Sequence, residues 1–452
     1  MKRNYYLSAL LMLTVGMSLS SCSSDDNDNS SSLLQGTANS DQTALSKGAW
    51  DFYAVSEGDT IYFKIDKSTA GTCYVVAKQF DVKNPKTGEI TSLYTYDDYL
   101  DLLNEYNDFY GEQYGYNGDD VSYSYYPGDI TIPASVTVNG TTYTVKGIGD
   151  YAFYNTKVTS LKMPSTIRWI GKSAICWCQD LTSVQLSENL TEIGEWALLG
   201  DSLLTEITLP SKVSTIGRFA FSYNYGLKKL NIPASVSYIG YGAFYKNENL
   251  TTIDVDADNK YYQLKDGILY NKAGDILHTY FNFNKASSFT VAENIDSICG
   301  YAFGGCQNLK SVTVSGNVTS LPEGVFFECE NLEQVKLPKT LKYIGDCTFL
   351  SCESLKDIVL PDAVKYIGES AFLMTGLEEI NIPAGVTYID TAAFSLCKSL
   401  KTVKSYITKP FEIVDYAFEN YNTATLYVPS GTKALYEATA GWNEFKNIVE
   451  ME

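Results

Sequence analysis

Apolar and polar positions recur along most of this chain in one long frame. Aligned on the residue that opens each unit, the register runs Val158, Leu181, Leu204, Leu227, Leu250, each 23 residues after the last. It resumes with Leu309, Leu332 and Leu355 at the same interval, then Leu377 after 22 and Leu400 after 23. A representative unit is "LKKLNIPASVSYIGYGAFYKNEN", residues 227–249, and the frame is L-x-x-I-x-I-P-x-x-V-x-x-I-G-x-x-A-F. Repetition at a fixed interval of this length is the mark of stacked supersecondary units.

The frame predicts its own local structure. In "LTEITLP", Ile207 and Leu209 alternate with Glu206 and Thr208, and a period of two means a half-buried strand. The proline that follows, as at Pro164, Pro210, Pro233, Pro338, Pro361 and Pro383, lacks an N–H for the ladder and closes the strand. The glycine after the second isoleucine permits a tight or left-handed turn. In the Ala-Phe pair the phenylalanine is expected to fill the coil centre, and the alanine lets the next unit approach. One coil cannot bury its apolar side alone. Stacked coils bury a continuous core, with their strands aligned in one parallel sheet.

This frame resembles the BspA-type leucine-rich repeat, a family of bacterial surface proteins, over about residues 129–452. The resemblance implies an α/β repeat solenoid of leucine-rich-repeat type. It would have a parallel sheet of short strands, an N-terminal β cap carrying an insertion, and a C-terminal cap. Departures are local: Ser187 replaces the proline, Cys299 and Asp390 stand where glycine is usual, and Ile175 and Leu198 replace phenylalanine.

The pattern divides the rest of the chain. Repeats are expected over 129–424. An insert at about 256–286 holds two apolar runs around "NKAGD", which read as a hairpin let into the stack. Residues 425–452 drop the frame for a strand and a short helix with Tyr436, Trp442 and Phe445, a fitting cap. Residues 50–80 give two alternating strands around a Ser-Thr-Gly turn, expected to seal the first coil within a 50–128 cap region. Its insertion, about 82–128, is the most unusual stretch. Residues 94–129 carry ten tyrosines and nine acidic residues. Asp97 to Tyr110 has helical spacing, and the remainder is Gly/Asn/Tyr loop. Tyrosine offers large, rigid area with a polar tip, so Tyr99, Tyr106, Tyr110, Tyr114, Tyr116, Tyr123 and Tyr125 are the candidate recognition residues. The competing reading is a helix packed on the solenoid flank with a decorative loop.

The N-terminus changes the setting. Lys2 and Arg3 precede "YYLSALLMLTVGMSLS", then "LSSC" ends at Cys22. A basic start, a short apolar run and small residues describe an export signal rather than a permanent span. The ending resembles a bacterial lipobox, which implies cleavage after residue 21 and lipid on Cys22. The alternative is an ordinary secretory signal. Residues 22–49, "CSSDDNDNSSSLLQGTANSDQT" onward, read as an acidic flexible tether. Acidic residues behind the acylated cysteine resemble a lipoprotein surface-export signal. The expected location is therefore the outer membrane, facing outward, with the periplasmic face as the alternative.

Charge and candidate chemistry narrow the function. Lys+Arg is 34 against Asp+Glu 53, a net charge of −19; such a surface repels phosphate and excludes nucleic acid as a natural partner. One histidine, His278, leaves little His-based machinery, and there is no G-x-S-x-G, phosphate loop or H-E-x-x-H. Of ten cysteines, Cys178, Cys306, Cys329, Cys352 and Cys397 fall three residues after the phenylalanine position. Buried cysteine behaves as a small hydrophobe, so a structural thiol column is favoured. An inter-coil disulfide, Cys306–Cys329 or Cys329–Cys352, is the alternative in an oxidising setting. Asp254, Asp256 and Asp258 have calcium-loop spacing, but Asn259 and Lys265 stand where that loop needs glycine and glutamate; a turn is favoured. No cofactor or metal site is expected. Outward positions on the repeat strands are small, polar and mixed in sign, and the aromatics instead follow the turns, as at Trp169, Trp196, Tyr238, Tyr241, Tyr301 and Tyr343.

The resemblance implies a non-enzymatic, lipid-anchored adhesin-like protein that binds an extracellular partner, either a matrix protein or another bacterial surface. The alternative is a glycan-binding accessory lipoprotein, which predicts coplanar exposed rings spaced like sugar units. In either reading a monomer is expected, touching membrane only through its lipid.

Overall fold

The structure is a computed structural model that describes residues 36–37, 52–56, 59–76, 80–83, 90–93, 126, 128–314, 316–414 and 416–452. From Gly128 onward these form a parallel-strand solenoid of about 13 turns. Each turn has three sides. The first is the L-x-x-I-x-I strand: Lys229–Ile232, for example, pairs in parallel with Thr252–Val255, placing Leu230 beside Ile253. The second is a two-residue strand ending at the isoleucine before the glycine. Thr215–Ile216 lies between Glu192–Ile193 and Tyr238–Ile239, so Ile193, Ile216 and Ile239 form one column. The third is the Ala-Phe segment, where the N–H of the phenylalanine position donates to the alanine carbonyl one turn on. Examples are Leu198 to Ala220 at 2.9 Å and Phe349 to Ala371 at 2.7 Å.

The longest sheet belongs to the second row, which continues after it in two further sheets. Thr141–Ile148, Trp169–Ile170, Glu192–Ile193, Thr215–Ile216 and Tyr238–Ile239 follow one another in it. The first row is not one sheet. It breaks between Ser183–Gln185 and Glu206–Ile207, and no strand forms over 355–361, where Ile358 and Leu360 stay buried while Val359 is 80% exposed. The α/β label also needs correction. Among the described residues there is one α-helix, Lys433–Ala438, and one 3-10 turn, Trp442–Glu444. The return segment cannot be helical because it holds two left-handed residues per turn. Phe219 (φ 53°) precedes the Ala-Phe pair and Tyr223 (φ 59°) follows it; Ser370 (φ 54°) and Met374 (φ 58°) do the same four residues apart. Positive φ ends a right-handed helical run.

Of the tight or left-handed turn expected at the glycine of I-G-x-x-A-F, the left-handed form is not what is found. Gly194, Gly217, Gly345 and Gly368 are absent from the positive-φ residues. They are needed because neighbouring turns touch there: a Cβ on Gly217 would sit 2.5 Å from the backbone nitrogen of Glu195 and 2.5 Å from the carbonyl carbon of Gly194.

The phenylalanines fill the coil centre as a stack. Phe303, Phe326, Phe349, Phe372, Phe394 and Phe418 follow with centroids 5.2, 5.3, 5.1, 5.1 and 4.9 Å apart and interplanar angles of 2–16°. Offset stacking of this kind adds to the gain from burial alone. At the N-terminal side, Asp59–Ile65 and Thr72–Val76 run antiparallel, and Thr72–Val76 joins the second row through Thr141–Ile148. At the C-terminal side Asn447–Glu450 is the outer strand of the last sheet, with Tyr436 and Trp442 fully buried beside it.

Candidate interaction surface

The residues singled out for recognition, Tyr99, Tyr106, Tyr110, Tyr114, Tyr116, Tyr123 and Tyr125, lie outside the described residues, as does the lipidation candidate Cys22. The next tyrosine is structural. Tyr126 is 4% exposed, its hydroxyl donates to the Val76 carbonyl at 3.0 Å and accepts from the Tyr62 N–H at 3.1 Å, and its ring lies 4.7 Å from Phe153.

The outward first-row positions knit turns together. Asp129 accepts from Thr159 (2.8 Å) and Ser160 (2.6 Å), which holds its carboxyl below the usual range. Lys404 pairs with Glu379 at 2.8 Å. The second row differs. Tyr343, Tyr366 and Tyr388 stack at 4.5 and 5.1 Å, within 8° of parallel, with Tyr343 and Tyr388 exposed. Beside them run Asp346, Glu369 and Asp390. Tyr366 donates to Asp390 at 2.9 Å, and the Glu369 N–H donates to Asp346 at 2.9 Å. Burial, then the charge of neighbouring carboxylates, raises Asp346 and Glu369 above the ordinary range. Of these three tyrosines only Tyr343 stood out in the sequence. Tyr366 and Tyr388 carry the same Tyr-Ile signal at 366–367 and 388–389.

Of the other turn aromatics, Tyr238 is exposed, Trp169, Trp196 and Tyr241 are partly buried, and Tyr301 is buried. Tyr241 and Tyr301 stack at 5.8 Å, and both hydroxyls donate to Glu323, at 3.1 and 3.0 Å. Burial raises the Glu323 carboxyl; the two phenols and Arg218 oppose it. Nearby, Glu328 accepts from Tyr245 at 2.7 Å and pairs with Lys246 at 3.0 Å, with both charged side chains under 8% exposed. These contacts join the turns before the insert to those after it.

The insert is a three-stranded meander, Tyr262–Lys265, Ile268–Asn271 and Ile276–Tyr280. Its last strand pairs in parallel with Ser297–Ile298 and so takes a second-row place. The apolar interior changes hands here. Tyr262, Leu269 and Phe281 pack with the N-terminal turns, and Ile268, Leu277 and Tyr280 with the C-terminal ones. A cavity of ≈ 20 Å³ lies between them, lined by Asn247, Tyr280, Phe281 and Tyr301 among others.

The remaining chemistry is structural in geometry. Asn259, the residue out of place in a calcium loop, is buried. Its amide donates to the carbonyls of Pro233 (2.8 Å) and Val236 (3.0 Å), and its oxygen accepts from Tyr261 and Tyr262. Among the described residues no group of three His, Cys, Asp or Glu side chains is arranged to hold a metal. All nine described cysteines are free thiols. In the expected column four thiols donate to a carbonyl of the preceding turn, Cys178 to Phe153 (2.9 Å), Cys329 to Phe303 (3.0 Å), Cys352 to Phe326 (3.2 Å) and Cys397 to Phe372 (3.1 Å), while Cys306 donates to Tyr280 of the insert (3.5 Å). Burial pushes the Cys329 thiol up to about 12, so it carries no thiolate for catalysis or metal binding near neutral pH.

Comparison with known proteins agrees with this architecture. The model of the BspA type leucine rich repeat region matches in six copies, over residues 146–272, 275–401 and 375–449. A leucine-rich repeat protein from Eubacterium ventriosum is similar at 28% identity, covering 62% of this chain and 76% of its own, with a TM-score of 0.56. The pneumococcal vaccine antigen PcpA shares the fold at 19% identity over 88% of this chain and 98% of its own, with a TM-score of 0.59. So does a leucine rich cell surface protein from Faecalibacterium prausnitzii, at 24% identity over 81% and 96%, with a TM-score of 0.51. No curated protein matches the chain.

Proposed function

Because the chain belongs to the BspA-type leucine-rich repeat family, we propose that it is a non-enzymatic, monomeric binding protein of the outer cell surface. In this reading it is held to the outer membrane by lipid on Cys22 and engages an extracellular protein partner in an adhesin-like manner. The strands of residues 59–76 and the segment 425–452 act as caps, closing the two open ends that every solenoid core presents.

The observation that carries this reading is the exposed second-row face, where Tyr343, Tyr366 and Tyr388 stack beside Asp346, Glu369 and Asp390. Tyrosine is a favoured anchor of protein interfaces, and a repeating face suits a broad partner. Stacking works against a sugar platform on this face, because a saccharide needs an open ring face and these rings cover one another. The tyrosine-rich segment 94–125 supplies the second element of recognition in the same proposal.

The test is a binding screen of soluble protein spanning 40–452 against matrix proteins, bacterial surface extracts and a glycan array. The expected hit is a protein, weakened by deleting 94–127 or by alanine at Tyr343 and Tyr388. A glycan hit insensitive to the tyrosine ladder would replace this reading with polysaccharide capture. Anchoring is read separately: the full chain should partition into detergent, and Cys22→Ser should release it.

A further inference from the structure

Three residues after the phenylalanine position, the first five turns carry Thr156, Cys178, Asp201, Asn224 and Asn247. These form a second ladder inside the solenoid. The side-chain oxygen of each of the last three rungs accepts the backbone N–H of the rung before it. Cys178 N–H donates to Asp201 Oδ1 (2.8 Å), Asp201 N–H to Asn224 Oδ1 (2.7 Å) and Asn224 N–H to Asn247 Oδ1 (3.0 Å). The other end of the Asn224 amide is a donor, with Nδ2 reaching the carbonyls of Leu198 (2.7 Å) and Phe221 (3.0 Å).

Asp201 is the one acid in this run. It is 0% exposed, Oδ1 is satisfied as above, and Oδ2 is buried with no partner. Oδ2 takes the place of the Asn224 nitrogen one turn earlier. By the same offsets the carbonyls at that place are those of Ile175 and Leu198, and no other donor reaches the buried carbonyl of Ile175 among the described residues. The Leu198 carbonyl already accepts from Asn224, so it is the Ile175 carbonyl that demands a donor there, and an ionised carboxylate has none. No cation compensates. The titratable groups on which Asp201 acts are the buried thiols of Cys176 and Cys178, which burial first and then Asp201 push well above their ordinary value, and the following rungs Asn224 and Asn247 are uncharged.

We propose that Asp201 folds as the neutral carboxylic acid, its Oδ2–H donating into the preceding turn as the Asn224 amide does, and that loss of this proton is a built-in alkaline release for the N-terminal turns. The release balances simply: the turn opens, the carboxyl gives its proton to water, and the carboxylate is hydrated outside the core. Burial pushes the Asp201 carboxyl well above its ordinary value, in agreement. The sign follows. A carboxyl raised on folding holds a proton that the unfolded chain has lost, so its share of stability is complete below about pH 3.9 and drains away as pH rises toward the folded value.

The experiment compares amide hydrogen exchange of the 175–201 segment in the wild type and in D201N, from about pH 5 to pH 8. D201N supplies the missing donor without a proton to lose. The protection of D201N relative to wild type should grow roughly tenfold per pH unit while one proton separates the states. N224D, which creates a second acid rung, should acquire the same pH dependence. Infrared difference spectra near neutral pH should show a protonated carboxyl in the wild type that D201N lacks. A protection ratio that stays flat with pH, or a D201N protein less protected than wild type at every pH, overturns the proposal.

Discussion

Nε2 of His278 lies 2.9 Å from the carbonyl oxygen of Ile239, and the phenol of Tyr262 lies 2.9 Å from the N–H of the same residue. Two side chains from the inserted meander thus complete the backbone pairing that the next coil supplies elsewhere in the second row. A carbonyl only accepts, so Nε2 carries the proton, and Nδ1 accepts from the Thr279 hydroxyl at 2.9 Å. The only histidine in the chain thus splices the insert to the neighbouring coil.

His278 should make the seam acid-labile. Burial lowers its basicity, and the hydrogen bond to Ile239 offsets this only in part. The folded state therefore binds this proton less readily than the unfolded chain. Its stability contribution is complete above about pH 6.5 and is lost as pH falls through the folded value. Thermal unfolding between about pH 7.5 and pH 5 should show a declining midpoint, and His278→Gln, which keeps a donor near Ile239, should flatten that component. An unchanged pH slope in the variant would place the acid lability elsewhere.

The Lys246–Glu328 pair should behave as a buried ion pair. Burial alone would depress the ammonium, but Glu328 holds it above its usual value. Glu328→Gln or Lys246→Met singly should cost about 3–5 kcal/mol, because each leaves one buried group uncompensated. Replacing both with apolar residues of similar volume should recover most of that loss. Chemical unfolding of the two single variants and the double variant gives the coupling directly, and additive losses would contradict a direct pair.

Much of this architecture was legible because one interval recurs. The spacing of Leu204, Leu227 and Leu250 placed the first-row strands, and the offset of Cys329 from Phe326 placed the thiol column. The glycine role was misassigned because a sequence shows that Gly217 lacks a Cβ but not whether conformation or a neighbour demands it; here Glu195 and Gly194 do. The seam was not legible at all. Tyr241 meets Glu323 across 82 residues and Tyr245 meets Glu328 across 83, over an insert that interrupts the count. Tyr366 and Tyr388 were legible but overlooked, since their place beside a buried isoleucine gives no hint that their rings stack across turns.

The thiol column predicts selective chemistry. Cys329 and Cys352 each donate to a phenylalanine carbonyl and are 0% exposed. Alkylating reagent should leave both unmodified in the folded protein and react once denaturant opens the turns. Cys329→Ser keeps a donor and should be better tolerated than Cys329→Ala, which leaves the Phe303 carbonyl without it at a cost of about 0.5–1.5 kcal/mol plus the cavity term. Mass spectrometry of labelled peptides and unfolding curves of the two variants check both points. Rapid native labelling at Cys329 would refute the column.

Gly217 separates two explanations of the frame's glycine. Were conformation the reason, alanine would strain the backbone and an asparagine, which tolerates left-handed φ, would be accepted better. Gly217 has no positive φ, and the atoms a Cβ would meet are all backbone of the preceding turn, the Glu195 nitrogen and the carbonyl of Gly194. Those atoms belong to the second-row ladder, where Gly217 N–H itself donates to Ile193 at 2.8 Å, and cannot retreat without breaking it. Gly217→Ala should therefore cost roughly 1–3 kcal/mol as an overpacked contact, and Gly217→Asn should cost more, in order of volume. At Asp390 the same frame position already carries a side chain, which accepts from Tyr366; Asp390→Gly should lose that bond without relieving any crowding. Unfolding midpoints for the three variants decide the matter: asparagine tolerated better than alanine at 217 would restore the conformational explanation and remove the close approach of turns as the reason for the glycine.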